Sequence, residues 1–332
     1  MLISIGHFHP PTVIDNDFLA SLEIGVDKDW ILERVGIRER RTVLSLDYIR
    51  ETKNCDPRAA AEASAFSDAQ TGAKAANHAL NRAGLKAKDI GMVIAGGCSA
   101  QLSIPTQACL AAAELQIKCP AFDVNSACSS FAAQLHFLSA MRPETLPDYI
   151  LVINVENTTR TVDYTDRRTA VLWGDGSTAA IVSPRVPGRA SIEASALHSD
   201  PSGWKHVFIP AGGHFRQNGQ AVQSFAIRKT VETYSELTAG LPPESQPAFI
   251  GHQANALMLE GVCRRAEIPR ERHFYNVDRY GNCGASGGPS VLSENWDKMR
   301  SGYLAVVAVG SGLTWGGVLF NFSASNGDGN GQ

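Results

Sequence analysis

The chain has few of the features that mark membrane proteins, nucleic-acid binders or disulfide scaffolds. Only 19% of its 332 residues are charged and the formal net charge is −3, so we expect no basic surface for a nucleic acid or an anionic membrane. No apolar stretch reaches membrane-spanning length, and the start lacks a charged leader followed by a long apolar core. The hydrophobic content of 44% predicts a soluble globular protein with a large buried core.

Metal and disulfide signatures are also missing. The seven cysteines form an odd set without a C-x-x-C pair, which argues against a disulfide framework and against a zinc site. The nine histidines show no H-x-x-x-H spacing with supporting acids. We therefore predict no metal and a cytoplasmic location, where a reducing environment would preserve a working thiol.

The chain does contain an internal repeat at an offset of about 155 residues. In each half, short apolar strands are separated by helical patterns, and the corresponding strands are 90–95 with 246–250, 119–124 with 272–277, 148–154 with 302–308, and 173–182 with 309–320. Continuous apolar strands that alternate with helices predict an α/β protein whose sheets are buried on both faces. Two packed halves would bring their equivalent loops to one pocket.

The predicted domain boundaries follow from this repeat. The first half covers residues 1–184, the second half covers residues 185–322, and the polar, glycine-rich end at 323–332 is predicted to be a flexible tail. The turn at 174–176 is only superficially similar to a dinucleotide-binding fingerprint, because a strand follows it and no acidic ribose ligand stands about 20 residues further on. We interpret it as a hairpin or bulge where backbone approaches backbone.

Cys128 is the leading candidate for a catalytic residue. An apolar run stops just before it, small residues follow, and a helical pattern begins. A strand would deliver the thiol to a tight turn, and a helix starting at the sulfur would favour the thiolate through its N–H groups and its positive end. The alternative is an ordinary buried cysteine. Far downstream, His252 and Asn282 each follow a predicted strand, and a cysteine, a histidine and an asparagine together suit thioester chemistry.

Each of these downstream residues also has a structural interpretation. His252 would then be a hydrogen-bonded core histidine, and Asn282 a turn residue that tolerates a positive φ. Cys283, next to Asn282, is a rival nucleophile, although it lacks the strand–turn–helix entry of Cys128.

Six motifs, in order, make the chain resemble the type III β-ketoacyl-acyl-carrier-protein synthases, which are thiolase-like condensing enzymes. The motifs lie within about residues 3–322 and occupy 29–40, 120–128, 166–176, 252–255, 281–282 and 310–316. The resemblance implies a thiolase fold, in which duplicated βαβαβαββ halves form a five-layer αβαβα sandwich. It also implies a homodimer paired near the Cys128 helix and a tunnel for a pantetheine arm.

The resemblance implies roles for the candidate residues. Cys128 takes the acyl group, while His252 and Asn282 face the thioester carbonyl of the second substrate. The backbone N–H groups of Cys128 and Ser311 form the oxyanion hole. The implied partners are acyl-coenzyme A or an acyl-carrier protein, and a malonyl-carrier protein, with no other cofactor.

Three further residues match the coenzyme A site of that family. Trp30 and Arg167 match the positions that sandwich the adenine, and Arg34 stands where the nucleotide phosphate is met. From the residues alone, Trp30 is equally a core residue, and the two arginines are equally solvated charges.

Several departures from the family pattern suggest a specialised paralogue with an unusual acyl donor. Ile104 stands where a phenylalanine often closes the acyl tunnel of the dimer partner. Leu257 replaces an arginine that docks the carrier protein, with Arg264 and Arg265 further on. The other departures are the additional region 51–68, the altered stretch 212–224, and Val309 in place of an aromatic residue.

The predicted reaction is acyl transfer from an acyl thioester to Cys128, then decarboxylative Claisen condensation with a malonyl-type thioester. The product would be a β-ketoacyl thioester in fatty-acid or polyketide-type biosynthesis. The nearest alternative joins two acyl chains, uses an unusual nucleophile, or transfers the acyl group to an alcohol or amine. A third is a non-catalytic partner subunit, which would be expected to have lost Cys128 or Asn282.

Overall fold

The computed structural model describes residues 1–323, apart from the side chains of Gln220 and Pro243. Apart from its first residue, the predicted tail at 323–332 lies outside the described residues. Within the described part of the chain, no helix is both long enough and apolar enough to cross a membrane.

The described residues form thirteen strands and twelve α-helices. The strands are β1 (Leu2–Phe8), β2 (Thr12–Asp15), β3 (Glu39–Thr42), β4 (Met92–Gly96), β5 (Ala121–Asp123), β6 (Ile150–Glu156), β7 (Gly176–Val182), β8 (Ala190–Ser199), β9 (Val207–Phe208), β10 (Arg216–Gln217), β11 (Ala248–Ile250), β12 (Gly302–Gly310) and β13 (Thr314–Phe322). The helices are α1 (Asn16–Ser21), α2 (Lys28–Val35), α3 (Leu46–Thr52), α4 (Pro57–Ala63), α5 (Asp68–Ala83), α6 (Gln107–Glu114), α7 (Ser130–Ala140), α8 (Arg167–Ala170), α9 (Gly219–Thr238), α10 (Ala256–Arg265), α11 (Val277–Tyr280) and α12 (Gly287–Glu294).

Nine strands form one mixed sheet whose order repeats in the two halves. The order is β11-β12-β13-β8-β1-β7-β6-β4-β5. In the first half β4 pairs parallel with β5 and β6, and β7 then runs antiparallel to β6 and β1. In the second half β11 pairs parallel with β12, and β13 runs antiparallel to β12 and β8. The two halves meet at β1 and β8, joined by the single pair Leu2 and Ala190.

Helices cover both faces of the sheet in each half and separate the halves from each other. Helices α7 and α12 contact strands of both halves and therefore lie between them. Helices α5 and α6 cover the outer face of the first half, and α9 and α10 cover that of the second. The central core joins residues from both halves, among them Ile5, Leu135, Val152, Val291 and Val318. The result is the predicted five-layer α/β arrangement.

One predicted strand is wrong. Residues 272–277 were expected to pair like 119–124, but they form only the bridge between Phe249 and His273, and α11 begins at Val277. The reason lies in a side chain, because Gln253 Oε1 accepts hydrogen bonds from the N–H groups of Asn276 (3.0 Å) and Val277 (3.2 Å). These two N–H groups therefore cannot extend the backbone hydrogen bonding with β11.

Candidate active site

Cys128 lies in the turn between β5 and α7. Ala127 has φ of 48°, a left-handed conformation that is unfavourable for a residue with a Cβ. The turn is held by its own side chains, since Asn125 Oδ1 accepts from the Ala127 N–H (2.9 Å) and Ser130 Oγ donates to the Ala127 carbonyl (2.6 Å). Helix α7 begins at Ser130, two residues beyond the sulfur, rather than at Cys128 as predicted. The thiol is thus presented at a sharp turn, with 7% of the residue exposed.

Two neighbours stabilise the thiolate of Cys128. The sulfur of Cys98 lies 3.3 Å from the Cys128 sulfur, within hydrogen-bonding distance, and His252 lines the same cavity. These interactions, with that of Cys98 the largest, hold the pKa of Cys128 well below its usual range although burial opposes them. The same contact, together with burial, raises the pKa of Cys98. The two pKa shifts therefore favour Cys128 as the thiolate and Cys98 as the thiol.

His252 follows β11 and lies in the same small cavity as Cys128. The strand ends at Ile250, and the histidine is two residues further on, with 7% of its surface exposed. Its carbonyl accepts a hydrogen bond from the N–H of Ala254 (2.8 Å), which closes the loop before α10. The cavity is lined by Cys128, His252, Gly284 and Ala285, among others.

Asn282 is positioned by backbone pairing with the first half of the chain. Its N–H donates to the Leu172 carbonyl (2.8 Å) and its carbonyl accepts from the Gly174 N–H (3.1 Å). A Cβ on Gly174 would lie 2.0 Å from the Tyr280 carbonyl oxygen, so only glycine permits this approach. The Asn282 Oδ1 accepts from the Gly284 N–H (3.0 Å), which directs Nδ2 away from its own loop. The next residues, Gly284 and Ala285, border the cavity of Cys128 and His252.

The sequence reasoning missed Glu156, which ties three loops of the site together. Its carboxylate accepts from the N–H groups of Cys98 (3.0 Å to each oxygen) and Ala285 (2.8 Å) and from the Thr158 hydroxyl (3.0 Å). Burial, and then the charge of Cys128, raise the pKa of Glu156 to about 8. One signal was available: Glu156 is the only charged residue of the mainly apolar strand β6 and stands at its end.

The turn that carries Ser311 packs against the nucleophile. A Cβ placed on Gly310 would lie 3.2 Å from the Cys128 nitrogen and 3.0 Å from the Ser129 nitrogen. The β12–β13 turn and the start of the Cys128 helix are therefore in direct contact.

Trp30, Arg34 and Arg167 come together on the surface. The guanidinium carbons of Arg167 and Arg34 lie 5.5 and 5.9 Å from the centre of the Trp30 ring, within cation–π distance. Arg167 Nη1 also donates to the Gly25 carbonyl (3.1 Å). Trp30 is half-buried and both arginines are exposed, so the cluster forms a solvent-facing aromatic site with two positive charges.

Ile104 and Cys283 lie apart from the reacting groups. Ile104 is 84% exposed, so within this chain it lines no tunnel. Cys283 is buried, its thiol donates to the Tyr280 carbonyl (3.4 Å), and burial raises its pKa well above the usual range. A buried protonated thiol is a poor nucleophile, so the rival role of Cys283 has no support.

A larger cavity of 730 Å³ adjoins the nucleophile through Cys98. Its walls come from the additional region 51–68, from the loop after β4 and from the altered stretch 212–224. They include Arg58, Cys98, Leu102, Arg160 and Ile209.

Within residues 1–323, no cluster of three histidine, cysteine or acidic side chains is arranged to hold a metal ion.

Comparison with known proteins identifies relatives along nearly the whole chain. Residues 122–201 match the family model of 3-oxoacyl-[acyl-carrier-protein] synthase III, and residues 238–322 match the model of its C-terminal part. The chain is 33% identical to the β-ketoacyl-[acyl-carrier-protein] synthase III of Syntrophomonas wolfei, with 97% of each chain covered, and 31% identical to that of Aquifex aeolicus, with 97% and 99% covered. The crystal structure of the Aquifex aeolicus enzyme superposes with a TM-score of 0.85, at 30% identity and covering 97% and 99% of the two chains.

Proposed function

The chain belongs to the 3-oxoacyl-[acyl-carrier-protein] synthase III family of condensing acyltransferases, and on this basis we propose how its active site works. Cys128 accepts an acyl group from an acyl thioester, and His252 and Asn282 then promote decarboxylative condensation with a malonyl thioester. One observation carries the proposal: the buried Cys128, whose pKa is lowered by Cys98 and by His252, shares with His252 a cavity that the loop of Asn282 borders.

The first step is attack of the Cys128 thiolate on the carbonyl carbon of the acyl donor. A tetrahedral oxyanion forms, and the N–H groups of Cys128 and Ser311 stabilise it. The donor's thiolate then leaves, and the acyl group remains on Cys128. Because the lowered pKa of Cys128 favours the thiolate, this step needs positioning and an oxyanion hole rather than a strong base.

The second step begins when the malonyl thioester loses CO₂. The electron pair of the broken C–C bond moves onto the thioester oxygen, where hydrogen bonds from His252 Nε2 and Asn282 Nδ2 stabilise the enolate. The enolate carbon attacks the acyl carbonyl on Cys128, a β-ketoacyl thioester forms, and the Cys128 thiolate is released. Transfer to an alcohol or amine would need no enolate donors, so the presence of both residues favours carbon–carbon bond formation.

The cluster of Trp30, Arg34 and Arg167 is the proposed coenzyme A site. An adenine between Trp30 and Arg167 needs about 7 Å between the two groups, which is the sum of two stacking distances. In the structure Arg167 lies 5.5 Å from the Trp30 ring, so this side chain must move outward as the nucleotide enters. Arg167 is exposed and is held by a single backbone hydrogen bond, so the movement is inexpensive.

The 730 Å³ cavity beyond Cys98 is the proposed pocket for the acyl chain. Helix α4 supplies one wall, and the region is anchored by Asn54, whose Nδ2 donates to the Arg160 and Val162 carbonyls (2.8 Å each). His214 Nε2 in turn hydrogen-bonds the Asn54 carbonyl (2.7 Å). The additional region and the altered stretch are thus linked, and together they would set which acyl groups fit.

The exposed apolar residues support a homodimer. Strand β5 is the last strand of the sheet, so one of its edges is unpaired, and its Phe122 is 41% exposed. Phe137 and Met141, at the end of the Cys128 helix, and Ile104 add to this surface. We place the second subunit here, where its Ile104 would reach the acyl pocket of this chain.

The malonyl group is proposed to arrive on an acidic carrier protein. Leu257 is 37% exposed at the start of α10 and offers no charge. Arg264 and Arg265 are exposed at the end of the same helix and are the proposed docking residues.

The proposed location is the cytoplasm. All seven cysteines are free in the structure, which supports a reducing setting.

The test is the intact mass of the protein after incubation with acyl-coenzyme A thioesters of graded length, with C128A as control. An adduct on the wild type alone would support the acyl-enzyme, and the preferred length would identify the donor. Absence of any adduct with every coenzyme A thioester and every acyl-carrier protein tried would contradict the role of Cys128.

A further inference from the structure

Cys98 is closer to the nucleophile than a side chain that merely lines a pocket needs to be. The two sulfurs are 3.3 Å apart, and both cysteines are free. This approach depends on glycine, because a Cβ on Gly96 would lie 2.9 Å from the Ser130 Cβ and 2.8 Å from the Val124 carbonyl oxygen. The condensation described above uses Cys98 only as a hydrogen-bond donor, so its thiol has no covalent role in that reaction.

The backbone of Cys98 is held while its side chain stays accessible. Both oxygens of the Glu156 carboxylate accept from the Cys98 N–H at 3.0 Å. The residue is half-buried and borders the 730 Å³ cavity, whose other walls include the exposed residues Leu102 and Gly212. A disulfide needs the sulfurs about 2.05 Å apart, so they must close by only about 1.2 Å, a movement within reach of side-chain rotation.

The two thiols also differ in pKa, as a stepwise oxidation requires. The hydrogen bond from Cys98 helps to keep Cys128 deprotonated, and the thiolate is the form that peroxides oxidise. The chief cause of the raised pKa of Cys98 is its contact with Cys128. Once Cys128 carries an oxygen and is no longer an anion, this cause disappears and Cys98 becomes a better nucleophile.

We propose that Cys98 is the resolving thiol of a reversible disulfide with Cys128, formed by hydrogen peroxide or an organic hydroperoxide and reversed by a dithiol. The Cys128 thiolate attacks the peroxide, the O–O bond breaks, and a sulfenic acid and hydroxide (or alkoxide) form. The sulfur of Cys98 then attacks the sulfenic sulfur, the S–S bond forms, and water leaves with the thiol proton. Overall, two thiols and one peroxide give one disulfide, one water and a second water or an alcohol.

This inference rests on the proposed role of Cys128 as the acyl acceptor, and it adds a consequence for the working enzyme. A disulfide removes the nucleophile, so the oxidised enzyme takes no acyl group. It also prevents oxidation of Cys128 to the irreversible sulfinic acid. An acyl group on Cys128 occupies the same sulfur, so the loaded enzyme is protected and only the free enzyme is switched off.

The experiment compares the wild type, C98S and a matched control, C263S, which removes a half-buried cysteine outside the site. Each full-length protein is treated with hydrogen peroxide and divided into two portions. In the first portion the free thiols are blocked and the peptides are analysed by mass. In the second, which is neither blocked nor digested, acylation from acyl-coenzyme A is measured before and after dithiothreitol.

For the wild type and C263S we expect a cross-linked peptide pair containing Cys98 and Cys128. Acylation should fall at least tenfold and return to its starting value after dithiothreitol. For C98S we expect no cross-link, a gain of about 32 Da on Cys128, and no recovery. Prior acyl loading of the wild type should reduce cross-linking at least tenfold.

Two results would overturn the inference: sulfinic acid on Cys128 of the wild type without any cross-link, or equal recovery of C98S and the wild type. Acylation of the reduced wild type is scored separately in the same experiment. If that adduct forms and the cross-link does not, the disulfide is wrong while the proposed function stands. If no adduct forms on reduced protein with any acyl-coenzyme A or acyl-carrier protein tried, the proposed function itself fails.

Discussion

Two loops, one in each half of the fold, reach the Cys128 sulfur from equivalent positions. In the first half Gly97 and Cys98 follow β4, and in the second half Gly251 and His252 follow β11. Each strand pairs parallel with a strand of its own half, and each loop delivers a side chain that lowers the pKa of Cys128. The duplicated topology explains why both side chains meet the nucleophile, whereas the residue at each position determines the chemistry.

A second pair of equivalent connections differs in length. The β6–β7 connection spans residues 157–175 and carries Arg167 of the proposed coenzyme A cluster. The corresponding β12–β13 connection is a tight turn of residues 311–313, and Gly310 just before it packs against the backbone of Cys128. One half thus extends a long loop to the surface, while the other brings a short turn close to the buried nucleophile.

Among the variants that distinguish the two loops, H252A is expected to have the largest effect. It removes an enolate donor, and we expect release of CO₂ from malonyl thioester to fall about 10²–10³-fold. The H198A variant removes an exposed histidine of β8 and should keep the wild-type rate. A loss of tenfold or less for H252A would show that the two loops do not differ in catalysis.

The second-largest effect is expected for variants of Asn282. They test whether the site requires a hydrogen-bond donor at this position or only a polar side chain. We expect N282A to lower decarboxylation about 10²-fold, because one hydrogen bond to the enolate is lost. The N282D variant should be slower still, because its carboxylate repels the developing negative charge. The measurement is CO₂ release by both variants. A faster N282D than N282A would contradict the assigned role.

A smaller effect should distinguish the glycines that precede Cys98 and His252. A Cβ on Gly97 would lie 2.4 Å from the Val155 carbonyl oxygen, which belongs to the rigid strand β6. A Cβ on Gly251 would lie 2.6 Å from Leu259 Cδ2, the end of a side chain that can move. We expect G97A to lower the free energy of unfolding by about 3 kcal/mol and G251A by about 1 kcal/mol. Denaturant unfolding of both variants measures the free energy of unfolding. Equal losses of stability in G97A and G251A would contradict this expectation.

The smallest effect concerns the donor from Cys98. Removing it by C98A should raise the pKa of Cys128, because the thiolate loses a hydrogen bond, so the thiolate forms at higher pH. The C98S variant keeps an O–H donor and should shift the pKa less. The rate of Cys128 alkylation as a function of pH, followed by mass, gives the midpoint for each protein. Identical midpoints in all three would show that Cys98 does not stabilise the thiolate.

Local patterns were enough to predict much of the fold. The apolar strands β4, β6 and β12 lie within a few residues of their predicted positions. The missing strand at 272–277 depended on Gln253, whose side chain takes the backbone donors from another part of the chain. No periodicity within those six residues shows that competition.

The sequence alone determined the strand–helix alternation, the duplication, and the candidates Cys128, His252 and Asn282, because apolar periodicity and motif order are local properties. Only the tertiary structure brought Cys98 to 3.3 Å from Cys128 and joined Cys98 and Ala285 through Glu156. Only it showed Ile104 on the surface. The physical reason is that side-chain proximity depends on how separate strand ends converge, and residues 30 to 130 positions apart carry no mutual signal in one sequence.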